Sequence, residues 1–319
     1  MTTAALEPIA ADAAAATDRD SWLALMDEIG EEAGYFQTVG ARHWAFFVDE
    51  SPTLIVSFET VEQARARAGQ MPQAHALAAA QGWSHLCLIA DGETWYRDPA
   101  VYAYFDRLID DAFFEDFDRV LFMGAGMGAY AATAYSVCAP GCTVLAISPR
   151  ATLNPAEAGW DTRHRTARKL DFTSRFGYAP DMVEGAGKVF LVHDPMNRVE
   201  AMHVALFRAA FVTPLPARHI GDRLEQTLSE MGMMPELVEA ALTGSLNLAS
   251  FARAWRKRRD HGTYLRIILA LAGAKGSKLR EIMVCRSVTR RHRAPKFHRR
   301  LTELTGARPV TIAGADGAE

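Results

Sequence analysis

The chain has 319 residues, 49% of them apolar and 23% charged, with a formal net charge of −3. That length accommodates one large core plus an extension, and no apolar run approaches the ~20 residues that a membrane-spanning helix requires. Of the four cysteines, Cys138 and Cys142 are near each other but no second pair answers them, which excludes a disulfide framework or a cysteine metal site. No metal and no cofactor is expected, and the expected setting is a reducing cytoplasm.

Residues 1–17 are Ala-rich, contain Glu7 and Asp12, and lack a basic start followed by an apolar run. They read as a disordered tail and not as a secretory signal. From 18 to 231 short apolar runs alternate with helical patterns, the rhythm of an α/β protein with a mostly parallel sheet and helices on both faces. Strands are expected at 43–48, 53–58, 85–90, 119–123, 143–147, 188–193 and 211–215. Helices are expected at 73–80, 99–112, 129–138, 199–210 and 221–231. Asp98 followed by Pro99 marks a helix start, because the missing proline N–H would be unpaired in a first turn anyway. The stretch 150–186 is about twice as long as the other connections and is expected to be a lid-like excursion. It holds Trp160, Asp161, Arg163, His164, Arg165 and Arg168. Beyond Met231 the strands cease. Segments 235–242, 248–258, 264–273 and 279–288 read as helices of a basic module over 232–302, and 303–319 as a second disordered tail.

The informative segment is Arg119-Val-Leu-Phe-Met-Gly-Ala-Gly-Met-Gly-Ala, a strand that meets a helix through Gly124, Gly126 and Gly128. In a G-x-S-x-G nucleophile elbow the flanking small residues permit a sharp turn, and the backbone N–H after the nucleophile helps form the oxyanion hole. Here Gly124 and Gly128 keep the turn, Met127 supplies the N–H, and Gly126 stands at the nucleophile position. The run Gly124 to Ala129 also satisfies the dinucleotide fingerprint G-x-G-x-x-A, and Arg150 beyond the next strand could receive a 2′-phosphate. Against that reading, several strands precede the motif and no acid ends the next strand.

Downstream, the strand at 188–193 ends in Asp194, and the strand at 211–215 is followed by His219. Nucleophile, acid, histidine is the chain order of the hydrolase arrangement. In a plainer reading Asp194 caps the next helix and His219 is a loop residue. Trp95 and Trp160 are candidate pocket-lining residues, or simply core aromatics. His193 points to the opposite face from Asp194, and His203 lies inside a helix, neither with a partner at metal-ligand spacing.

With the elbow, acid and histidine in this order, the chain from about 43 to 231 resembles the α/β-hydrolase superfamily. More narrowly, Trp95-Tyr-Arg-Asp98, Ile147-Ser-Pro-Arg-Ala-Thr-Leu153, Trp160-Asp161 and Ala167-Arg-Lys-Leu-Asp171 resemble an uncharacterised alphaproteobacterial group. Its members are sometimes labelled phosphoadenosine phosphosulfate reductase, yet this chain has no S-G-G-x-D-S-type loop and no cysteine-bearing tail. The superfamily resemblance implies a hydrolase fold in which glycine closes the acyl-enzyme route.

Three functional readings follow. The leading one is a pseudoenzyme, a binding or accessory protein that holds a small molecule in the elbow pocket. The second is a hydrolase or acyltransferase in which Asp194 and His219 activate water, or Ser148, Cys138 or Cys142 serves as a displaced nucleophile. The third is an NADP-dependent enzyme built on the Gly124–Ala129 loop.

Charge is distributed unevenly. Between 251 and 300 there are 16 Lys and Arg against two acids, Asp260 and Glu281, whereas the first 250 residues hold 18 basic and 33 acidic residues. Such a concentration attracts polyanions, with Arg290, Arg291, Arg293, Arg299 and Arg300 as the expected contacts. Alternatively these helices dock on the acidic body or meet a protein partner. No recognised nucleic-acid motif accompanies the charge.

Overall fold

The computed structural model describes residues 12–306, so 1–11 and 307–319 of the two expected tails lie outside the described residues. Eight strands form one sheet: β1 (Gly34–Val39), β2 (His43–Val48), β3 (Thr53–Thr60), β4 (Ser84–Ala90), β5 (Arg119–Ala125), β6 (Thr143–Ile147), β7 (Lys188–His193) and β8 (Val212–Pro216). Their spatial order is β1-β2-β4-β3-β5-β6-β7-β8. β2 runs antiparallel to β1 and β4, and every other pairing is parallel. This is the α/β class, with an α/β-hydrolase-like sheet and a C-terminal helical extension. Its parallel strands all end at the same edge, which therefore collects the residues that follow β3, β5, β6, β7 and β8.

The helices of the sheet domain are α1 (Arg19–Ala33), α2 (Val61–Arg65), α3 (Gln73–Gln81), α4 (Pro99–Asp110), α5 (Met127–Tyr135), α6 (Pro155–Ala158), α7 (Ala179–Met182), α8 (Arg198–Val204), α9 (Leu224–Glu230), α10 (Met234–Leu242) and α11 (Leu248–Ala254). All of β4 is buried, the pattern of a strand covered on both faces. One face carries the main core, where Phe58, Phe105 and Tyr135 stack at centroid distances of 4.3–6.1 Å. On the other face Trp22 and Met26 of α1 pack with Phe46 and Ile89, and α10 packs against β5 and β6.

Several elements go beyond the sequence expectation, β1 and α1 among them. β1 is an edge strand of mixed exposure, so it lacks the continuous apolar run that marks a central strand. α1 did carry a signal: Asp18 and Ser21 form a capping box, and Trp22, Met26 and Gly30 are buried at helical spacing. The described end of the first expected tail is ordered as well. Ala13–Ala15 form a 3₁₀ turn whose Ala13 is buried in the α1 core, and Gln70 Nε2 donates to the Ala16 carbonyl at 2.8 Å.

The excursion 150–186 is tied to the domain rather than hinged. Arg97 donates to the carbonyls of Asp171 and Arg175, each at 2.7 Å, and Tyr130 Oη to that of Phe176 at 2.7 Å. Phe172, Phe176 and Val183 join the main core.

Two compact units divide the chain at Arg253 and Ala254, rather than at the expected 231/232 boundary, because α10 belongs to the sheet. The second unit contains a 3₁₀ segment (Trp255–Arg259), α12 (Gly262–Ala274), α13 (Lys278–Thr289) and α14 (Pro295–Thr305) around Leu265, Cys285, Val288 and Phe297. Residues 303–305, expected as tail, are the last turn of α14.

Candidate functional site at the carboxyl edge of the sheet

β5 turns into α5 at the carboxyl edge. Gly124 pairs with Phe58 of β3, and Ala125 with Ile147 of β6, so neighbours on both sides hold the turn. A Cβ on Gly124 would lie 2.3 Å from the Gly128 carbonyl oxygen, and one on Gly128 would lie 2.3 Å from that of Phe58. Both positions therefore exclude any side chain. Gly126 differs: its φ of 55° and ψ of −111° suit glycine, yet a Cβ there would meet no atom within 4 Å. The turn from β5 into α5 thus has a left-handed φ at Gly126 and leaves open space where a side chain would project. The Gly126 N–H donates to the Ile147 carbonyl at 2.9 Å, while the Met127 N–H, at the positive end of α5, has no acceptor among the described residues.

A hydrolase elbow draws its second oxyanion donor from the loop after the third strand. In this chain β3 ends at Thr60, whose N–H donates to Gln63 Oε1 at 2.9 Å while its own Oγ1 accepts the Gln63 N–H at 3.2 Å. This capping box starts α2 and takes up the Thr60 N–H.

Asp194 follows β7, and its carboxylate accepts four backbone N–H groups. Met196 and His219 donate to Oδ1 at 2.9 and 3.0 Å, and Ile220 and Gly221 to Oδ2 at 2.8 and 2.9 Å. Neither sequence reading of this acid describes that arrangement. The carboxylate secures the backbone of the loop that carries His219, which has a φ of 67°, and among the described residues the His219 imidazole makes no hydrogen bond with it. Asp194 is not the cap of α8 either, since Asn197 Oδ1 accepts the Val199 and Glu200 N–H groups.

A second aspartate–histidine pair joins the excursion to α8. Asp161 and His203 are both fully buried, and His203 Nδ1 accepts the Ala151 N–H at 3.2 Å. Nε2 therefore carries the proton and donates to Asp161 Oδ2 at 2.9 Å. Arg163 forks onto the same carboxylate, Nε to Oδ1 at 2.9 Å and Nη2 to Oδ2 at 2.7 Å. Burial by itself raises the Asp161 pKa, but the hydrogen bonds from Arg163 and His203 outweigh it and hold the carboxyl well below the usual range. Burial also keeps the His203 imidazole below its ordinary value, despite the neighbouring carboxylate. Sequence reasoning gave His203 little weight because 42 residues separate the partners; Trp160-Asp-x-Arg163 was the only local sign.

The remaining candidates are buried or otherwise occupied. Trp95 is 1% exposed, donates its N–H to Met127 Sδ at 3.0 Å and packs on Tyr130, His164 and Phe172, so it belongs to the core rather than to a pocket wall. Trp160 covers His203 at 4.5 Å between ring centroids. Arg150, considered for a 2′-phosphate, is 7% exposed and donates Nη1 to the Ser148 and Pro149 carbonyls at 2.7 and 3.2 Å. Burial pushes the Cys138 and Cys142 thiols up to about 12, far from the thiolate a nucleophile needs.

Cavities do not enlarge the elbow. On the Ala125 side a space of about 10 Å³ is bordered by Glu59, Gln63, Glu225 and Met234, room for about one water. Burial, then the charge of Glu59, pushes the Glu225 carboxyl there up to about 6. A cavity of about 610 Å³ lies at the opposite edge, lined by Arg119, Cys138, Cys142 and Thr143. Among the described residues no group of three or more His, Cys, Asp or Glu is placed to hold a metal, and no helix is long and apolar enough to cross a membrane.

No family model and no curated protein matches this chain. Among solved structures it is similar to carboxyl esterase 2 from the mycorrhizal fungus Tuber melanosporum, at 14% identity over 65% of this chain and 88% of that one, with a TM-score of 0.39. It is also similar to Est1E from Butyrivibrio proteoclasticus, at 14% identity over 65% and 98% of the two chains and a TM-score of 0.39. Alpha/beta hydrolase domain-containing protein 10 from mouse is similar at 9% identity over 66% and 98%, with a TM-score of 0.38. The sheet order of this chain carries the hydrolase-like fold by itself.

Proposed function

We propose that this is a hydrolase-fold binding protein that holds a small molecule on the open side of the elbow and forms no acyl-enzyme. One observation carries the reading: Gly126 keeps the elbow backbone and has open space at its Cβ position, but offers no side chain. The unpartnered Met127 N–H at the positive end of α5 is a donor for a ligand oxygen there. Weighing against a water-activating dyad, Asp194 spends its carboxylate on four N–H groups and leaves the His219 ring without an orienting acid. A dinucleotide site is disfavoured by the burial and carbonyl contacts of Arg150.

Purified protein should hydrolyse p-nitrophenyl acetate and butyrate no faster than the buffer control. Turnover above that control which disappears in His219→Ala would overturn the reading. A thermal-shift screen of small carboxylic acids and their esters should find binders whose shift is lost in Gly126→Leu, which fills the open side. Binders unaffected by that substitution would place the ligand elsewhere.

A further inference from the structure

Ion pairing sorts the five arginines at 290, 291, 293, 299 and 300 into two sets. Arg291 and His292 both meet Asp260 at 2.9 Å, and Arg300 meets Glu281 at 2.7 Å and Glu303 at 3.1 Å. Arg290, Arg293 and Arg299 have no ion pair among the described residues. All three line one cleft of about 800 Å³ between the last turn of α13 and helix α14.

The geometry follows from the α14 sequence. Pro295, His298, Arg299 and Thr302 recur at the spacing of one helix face and line the cleft, whereas Phe297 and Leu301 pack in the core of the unit. Ala294 provides no side-chain cap at the start of α14, and Ala294 and Pro295 line the same cleft as the three arginines, so the positive end of an 11-residue helix borders it. Planar guanidinium forks and a helix N-terminus both suit phosphate oxygens.

We propose that this cleft binds the phosphate backbone of double-stranded nucleic acid without reading its sequence. The cations lie at the C-cap of α13, in the following loop and on α14, a track for successive phosphates rather than a cradle for one. An anionic membrane fits less well, because the apolar face that α14 would insert is already spent on its own core. Single-stranded nucleic acid also fits less well: Phe297, which could stack on a base, is 6% exposed.

The test uses the full chain and a fluorescein-labelled mixed-sequence duplex of about 20 base pairs, read by anisotropy between about 50 and 200 mM salt. Arg290→Gln, Arg293→Gln and Arg299→Gln together should weaken binding at least ~10-fold and flatten the slope of log K against log salt by about 2 to 3, since each phosphate contributes about 0.9. A control triple, Lys275→Gln, Lys278→Gln and Arg280→Gln, removes the same charge outside the cleft and should change affinity less than ~3-fold. Equal losses in the two triples would overturn the proposal, as would wild-type protein that ignores duplex. Capture by phosphatidylserine vesicles or heparin without duplex binding would overturn it in favour of a lipid or polysaccharide. If the cleft triple melts early, Arg293→Gln alone, in the loop, should still reduce the slope by about 1, and an unchanged slope in that folded variant would also overturn the proposal.

Discussion

Two of the aspartate–histidine pairs in the sheet domain are built in opposite ways. Asp194 accepts four backbone N–H groups, three of them from the His219 loop, while the fully buried Asp161 meets the side chains of the buried His203 and of Arg163. The first pair has hydrolase chain order without a ring-to-carboxylate bond. The second has that bond, but both ring nitrogens are spent, one on Ala151 and one on Asp161. An aspartate near a histidine is thus no sign of proton transfer until one ring nitrogen is free to face a substrate. The buried pair ties the excursion to α8; Asp194 secures the backbone of the loop that carries His219.

The largest effect that would sharpen this contrast is expected at the buried pair. Asp161→Ala leaves the buried His203 Nε2–H without its acceptor and the buried Arg150 guanidinium, 3.8 Å away, without this carboxylate partner, at a cost of about 3–5 kcal/mol, measurable as a large shift in a denaturant midpoint. The same pair predicts acid sensitivity. Both pKa values fall on folding, so each group contributes stability above its unfolded value, 6.5 for the histidine and 3.8 for the aspartate. That contribution should be lost first as the pH drops below 6.5 and again below 3.8. Asp161→Ala should abolish the loss below 3.8 and deepen the loss below 6.5, because the carboxylate that raises the His203 pKa is gone, and a variant with an unchanged profile would break the comparison.

A smaller loss is expected at the elbow pair. Asp194→Ala removes an acceptor from four N–H groups, three of them in the His219 loop, and should cost about 1–3 kcal/mol, because the partly exposed groups regain water. Hydrogen exchange should accelerate at His219, Ile220 and Gly221 while the sheet stays protected. Uniform acceleration would mean that Asp194 holds more than its loop.

The smallest effect has the opposite sign. Burial and Glu59 raise the folded pKa of Glu225 from 4.5 to about 6, so its ionisation opposes folding as the pH rises through that window. Glu225→Gln should stabilise the protein at pH 7.5 by about 1 kcal/mol, and the gain should vanish below 4.5. A gain that persists in acid would have another cause.

Seven of the eight strands were legible in the sequence, because each carries a short apolar run with turn residues at its ends. The edge strand β1, half exposed, has no such run. The elbow was legible because its three glycines are adjacent, and the buried pair was not, because its partners come from separate elements. The module boundary was misplaced for a related reason: α10 looks like any amphipathic helix, and only its packing on β5 and β6 assigns it to the sheet.

By itself, the sequence determined the α/β rhythm, the glycine at the elbow and the basic second unit, since local pattern and charge need no partner to be read. Only the tertiary structure decided how the charged side chains are spent. It turned Asp194 onto a loop backbone, joined Asp161 to His203, and neutralised Arg291 and Arg300 while leaving Arg290, Arg293 and Arg299 on one cleft. Hydrogen bonds and ion pairs act over a few ångströms in space, and distance along the chain does not constrain which groups come that close.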